Sequence, residues 1–168
     1  MATGNSTAFA LTTPSDTEVV ATRVFNARRE LVFKAYTDPM LVARWWSPPR
    51  HNTIVDKMDV RVGGAWRYIV QDMVTGVEIM AFSGVFQEIT PPERIVRTEN
   101  YEPIGPGHEV ISTVVFEEVD GGRTRMTETM SFNSIQDRDR MLQTGMESGF
   151  IASLELLDRV LDELKASA

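Results

Sequence analysis

An α+β fold, with one curved antiparallel sheet covered by a long C-terminal helix, is predicted by three features of this sequence. The first is the stretch from Ser134 to Leu164, where Leu142, Met146, Phe150, Leu154, Leu157, Leu161 and Leu164 recur at steps of four and three. That spacing places all seven on one face of a helix. The second is a succession of about six β-prone segments between Thr53 and Phe132, each closed by turn residues. Strands in unbroken succession pair antiparallel, because parallel pairing needs crossover connections. The third is a pair of short helical patterns directly after the first strand.

In chain order, residues 1–16 are rich in Ala, Thr, Ser, Gly and Asn without periodicity, so they read as a flexible tail ahead of a single domain over 17–165. Val19, Val20, Thr22 and Val24 suggest a first strand over 17–25. Asn26 is the expected cap of a helix over 29–37, with Leu31, Val32 and Ala35 turned inward. Asp38-Pro39 opens a second short helix, proline being suited to a first turn, and Ser47-Pro48-Pro49 ends it near Trp45-Trp46. Further strands are expected over 53–61, 65–71, 77–89, 94–101, 108–119 and 123–132, six or seven in all with the first. The last two form a hairpin about Asp120-Gly121-Gly122. Ser134, three residues before Asp137, is a capping signal for the final helix. Beside its apolar face runs a stripe of small residues: Gly145, Gly149, Ala152 and Ser153. A helix-interior glycine costs about 1 kcal/mol against alanine, so two of them need a reason. Either the helix approaches the sheet closely, or missing side chains leave room for a ligand.

Composition narrows the chemistry. At 168 residues the chain is long enough to bury a sizeable core in one domain. With no cysteine there is no disulfide framework, thiolate nucleophile or zinc–thiolate site. A net charge of −7 with scattered Lys and Arg argues against a nucleic-acid partner. No apolar run approaches membrane-spanning length, and no basic-then-apolar segment opens the chain, so a cytoplasmic protein is the expectation. His51 and His108 sit at loop edges without further ligands at metal-binding spacing. No phosphate loop, dinucleotide fingerprint or nucleophile elbow occurs. Neither a metal nor a cofactor is expected.

Four motifs occur in order: Arg44-Trp45-Trp46-Ser47-Pro48; Asp59-Val60-Arg61-Val62-Gly63-Gly64; Gly84-Val85-Phe86 with Pro91-Pro92-Glu93-Arg94-Ile95-Val96; and Gly145-Met146-Glu147-Ser148-Gly149-Phe150. Through them the chain resembles the single-domain bacterial relatives of the activator of heat-shock protein 90 ATPase. These belong to the SRPBCC superfamily of START-related and birch-pollen-allergen-like proteins. The resemblance runs from about Glu18 to Leu164, with Phe150 where the family more often has Trp. It implies a helix-grip fold, the sheet wrapping the C-terminal helix around an elongated cavity. It also implies a range of functions, since superfamily members bind lipids, sterols, polyketides or other apolar molecules, and some catalyse cyclisation or hydrolysis. A homodimer is compatible with it. The co-chaperones that name the family carry an additional N-terminal domain for which this chain leaves no room, and a chaperone partner stays an open alternative.

Strand alternation selects the candidate site residues. Over 125–132, Met126, Glu128, Met130 and Phe132 share one face, and its three apolar members mark it as inward. An ionised Glu128 there needs a partner such as Arg67 or Arg97, or else a raised pKa. It is either a polar anchor or acid/base group for a ligand, or a satisfied structural residue. Trp46, Trp66, Tyr68, Phe82, Phe86 and Phe150 suit the lining of a cavity for an aromatic or lipid-like ligand, and Met126, Met130 and Met146 add adaptable surface. Gly149 and Ser153 give the helix side of that lining. The leading expectation is a non-enzymatic binding protein for a small apolar molecule. The alternatives are an enzyme acting on a polyketide-like or aromatic substrate, with Glu128 and Arg67, Arg97 or His108 in acid/base roles, and a chaperone-interaction module.

Overall fold

The computed structural model describes residues 9–47 and 50–167. Among them run β1 (Phe9–Thr12), β2 (Glu18–Phe25), α1 (Arg29–Thr37), α2 (Pro39–Trp45) and β3 (His51–Met58). β4 (Ala65–Asp72), β5 (Glu78–Thr90), β6 (Arg94–Tyr101), β7 (Val110–Val119) and β8 (Arg123–Ser131) follow, then α3 (Ile135–Gln143) and α4 (Met146–Ser167). The strands form one antiparallel sheet in the order β1-β2-β8-β7-β6-β5-β4-β3. From β3 to β8 the chain meanders. α1 and α2 carry it from β2 across to β3 at the opposite edge, and the helix-grip arrangement follows from that single crossover.

Eight strands replace the six or seven expected, because Phe9–Thr12 pairs with β2 from Phe9↔Arg23 to Thr12↔Val20. The ladder, with Phe9 packed on Phe150 at a ring-centroid distance of 5.7 Å, orders a segment whose composition reads as tail. Residues 1–8 of the expected tail, and Pro48-Pro49, lie outside the described residues. The residue before α1 is Arg28, which makes no side-chain cap bond, so Asn26 does not cap that helix. α2 starts as expected: Asp38 accepts from the Met40 N–H at 2.9 Å, with Pro39 in the first turn.

The expected single C-terminal helix is two. Gly145 adopts φ +78°, a left-handed conformation that closes α3 after Thr144 and lets α4 leave in a new direction. Ser134 does cap α3, accepting from the Asp137 N–H at 3.1 Å. The break divides the apolar stripe. Leu154, Leu157 and Leu161, with Val160, enter the main core beside Phe25, Phe33, Phe116 and Met126. Leu142 and Met146 instead pack on a smaller cluster of Val19, Val110, Met130 and Phe132. Phe150 touches both. Between the two clusters the helix pair stands off the sheet.

Candidate ligand pocket

In that gap lies a pocket of about 510 Å³, bounded by β4 to β8 on one side and by α3 and α4 on the other. Nine of the twelve residues singled out from the sequence line it: Trp46, Phe82, Phe86, Glu128, Met130, Met146, Gly149, Phe150 and Ser153. The other three stand behind its wall. Trp66 is buried, its Nε1 donating to the Thr98 carbonyl at 3.1 Å. Tyr68 is overlaid by Trp46, edge-on at 5.0 Å, and by the Arg97 guanidinium. Met126 is sealed within the main core. All three are on the inward face, but helix side chains and Arg97 cover them.

Gly149 lies within α4, and a Cβ built there meets no atom within 4 Å. Close approach of helix to sheet is therefore not its reason, and the space beside it belongs to the pocket. Gly149→Ala is expected to stabilise the protein by about 0.5–1 kcal/mol, because it restores helix propensity without a clash. Urea denaturation checks this; a destabilised variant would mean that the open space is filled.

The polar groups gather on β6, β7 and β8. β6 turns Ile95, Arg97, Glu99 and Tyr101 into the pocket, and register places Arg97 opposite Ser112 of β7, itself opposite Met130 of β8. Ser112 donates to Glu128 Oε2 at 2.7 Å. Arg97 donates to the Tyr68 hydroxyl at 3.1 Å, and its guanidinium carbon lies 3.8 Å from the Trp66 ring centroid. Arg97, Glu99 and Glu128 are each half-buried and line the pocket. Burial, reinforced by the Glu99 charge and opposed by the Ser112 hydrogen bond and Arg97, pushes the Glu128 carboxyl up to about 7. Burial likewise raises Glu99, with Arg97 opposing. The Tyr36 hydroxyl, over the same region from α1, is pushed well up by burial and by Glu128.

Of the two arginines proposed as partners for Glu128, Arg97 is its neighbour. Arg67 faces away and grips Glu102 with two hydrogen bonds of 2.9 Å, because it alternates with the inward Trp66 and Tyr68. Glu99 and Tyr36 escaped the sequence reading. The alternation Ile95, Arg97, Glu99, Tyr101 was available to find Glu99, but nothing local places Tyr36 over it.

Ile104, Arg140, Thr144, Gly145 and Ser148 are the exposed members of the lining, and they mark the mouth. There His108 Nδ1 lies 2.9 Å from Asp137 Oδ1, and Arg140 donates to the same oxygen at 3.2 Å, tying α3 to the loop before β7. Among the described residues no group of His, Cys, Asp or Glu is placed to hold a metal ion. No helix there is long and apolar enough to cross a membrane.

Comparison with known proteins gives a consistent picture. The family model described as activator of Hsp90 ATPase homolog 1-like protein matches residues 26–162. Among solved structures, a protein from Chromobacterium violaceum is 25% identical, with a TM-score of 0.76 over 88% of this chain and 98% of that one. One from Rhodobacter sphaeroides is 22% identical, with a TM-score of 0.84 over 93% of this chain and 99% of that one. The AHSA1 protein of Silicibacter pomeroyi is 21% identical, with a TM-score of 0.69 over 90% of this chain and 99% of that one. The last two likenesses concern the fold alone. No curated protein matches the sequence.

Proposed function

The chain belongs to the family of activator of Hsp90 ATPase homolog 1-like proteins, and from that premise we propose that this member binds a small, predominantly apolar molecule between α4 and the sheet. One observation carries the reading: an apolar-walled space of about 510 Å³ with a few convergent polar groups at one side. Ligand sites commonly have this size and composition. Trp46, Phe82, Phe86 and Phe150 offer ring faces and edges, while Met130 and Met146 adapt to irregular shapes. Glu128 and Arg97 supply orientation. The lifted Glu128 carboxyl also suits proton transfer, which makes catalysis on the bound molecule the second reading.

Native mass spectrometry of the purified protein, beside a denatured control, tests the proposal. The expected result is excess mass lost on denaturation, and its absence from Gly149→Leu, whose side chain projects into the open space while α4 keeps its helix propensity. A bare wild-type mass, together with no uptake of added apolar probes, would overturn the reading in favour of an interaction module. Undiminished ligand in Gly149→Leu would overturn the placement.

A further inference from the structure

We propose that the polar side of the pocket selects a cationic head group, so that the ligand is an organic amine bound as its ammonium ion. The proposal rests on the reading of this pocket as a ligand site, and it adds the charge of what enters.

Charge balance is the first argument. Two carboxyl groups, Glu99 and Glu128, face the interior against one guanidinium, that of Arg97. Arg97 is already engaged, stacked on Trp66 and donating to Tyr68. Glu128 has the Ser112 hydroxyl. Glu99 lines the pocket as well; the Arg97 charge acts on its carboxyl, but among the described residues no side-chain hydrogen bond or close ion pair reaches it. The two half-buried carboxyl groups offset burial by holding their protons more tightly, and an incoming cation favours their ionised forms by pairing with them. A neutral head group makes no such pair. An anionic one meets the same two carboxyl groups while Arg97 is already engaged. At the mouth, Arg140 and His108 are both engaged with Asp137, so neither supplies a compensating positive charge inside.

The second argument is the wall beside Glu99. Phe82 lies 4.8 Å from Trp46 and 5.2 Å from Tyr101, ring centroid to ring centroid, and all three rings line the pocket. Electron-rich faces next to a carboxylate attract ammonium groups through the ring quadrupole as well as the charge. The same rings bury the hydrocarbon part, so one surface serves both ends of an amphiphilic amine.

Three probes with one tail separate the possibilities: decylamine, decanol and decanoate, titrated calorimetrically into the intact protein at neutral pH. The expected order is decylamine tightest, by about tenfold or more over decanol, with decanoate weakest. In Glu99→Gln and Glu128→Gln, both close in shape to the native side chain, the amine preference is expected to shrink by about tenfold while decanol binding is kept. If decanol or decanoate binds as tightly as the amine, the charge assignment is overturned and the pocket reading stands. If none of the three binds, the pocket reading fails and this inference with it. An amine preference that persists in both variants overturns the assignment to Glu99 and Glu128.

Discussion

Replacing Gly84 by alanine is expected to cost about 3–5 kcal/mol, a large share of the roughly 5–15 kcal/mol by which an ordinary domain is stable. In β5 this glycine passes directly over the Trp66 indole at the point where Trp66 Nε1 donates to the Thr98 carbonyl at 3.1 Å. A Cβ there would stand 1.9 Å from the Thr98 oxygen and 2.8 Å from Trp66 Nε1. The first of these is a backbone atom of β6, held by the Thr98↔Ile111 pair of the β6–β7 ladder and by the Val85 N–H, which donates to the Thr98 hydroxyl at 2.9 Å. Relief therefore requires the two strands to part or the indole to leave its slot. Trp66 is 1% exposed and supports the Arg97 guanidinium, so either movement opens the core and unseats the polar side of the pocket together. Urea denaturation followed by circular dichroism reads the loss. A midpoint equal to that of the wild type would show that β5 and β6 are not packed as described. The length of β5, interrupted in pattern by one glycine, is legible in the sequence, but the reason for the glycine is not. It depends on an indole from β4 and a carbonyl from β6 meeting at one point.

Glu128→Gln is expected to stabilise the protein by an amount that depends on pH. The folded-state carboxyl, at about 7, holds its proton where the unfolded chain, in the ordinary carboxyl range, has lost it. Between roughly pH 4.5 and 7 the folded wild type binds more protons than the unfolded chain, so its stability falls as pH rises through that window and levels off above it. Glutamine does not titrate. The gap between variant and wild type therefore opens across the same window and reaches on the order of 3 kcal/mol above pH 7. Below the window the two differ little, because a glutamine oxygen still accepts from Ser112. The groups that face Glu128 are Glu99 and Arg97 on β6, Ser112 on β7 and Tyr36 on α1. Glu99 is raised in the same direction and its charge acts on Glu128, so the wild-type curve is steeper than Glu128 alone would make it, and the difference between the proteins also contains the release of Glu99 from the Glu128 charge. Urea midpoints at about pH 4, 5.5 and 7.5 check this. A constant difference across that range would place the Glu128 carboxyl in solvent.

Periodicity determined a great deal by itself. Alternation over 125–132 assigns Glu128 to the face of Met126, Met130 and Phe132; in the structure Met126, Glu128 and Met130 lie in β8 and Phe132 just beyond its end, with Met130 and Phe132 buried in one cluster. The spacing of Leu154, Leu157 and Leu161 identifies the buried stripe of α4, and the Ser134 hydroxyl marks where the C-terminal helices begin. Each of these is set by neighbours within a few residues, through hydrogen bonds and side-chain direction along one element. The rest required elements distant in sequence to meet. Phe9–Thr12 has little β-pattern and is a strand because β2 offers a free edge. Gly145 reads equally well as a helix-interior residue, and only the separate packing of Leu142 and Leu154 on two clusters reveals a helix end there. Arg67 and Arg97 are equivalent as candidates by type. The register of β4 turns one to Glu102 outside, while that of β6 turns the other to Ser112 and the pocket. Trp66, Tyr68 and Met126 share the inward face with residues that reach the pocket, yet lie one layer deeper because other side chains cover them. A sequence states which side of an element is apolar; what stands on that side, and whether a gap remains there, depends on how the covering helices dock.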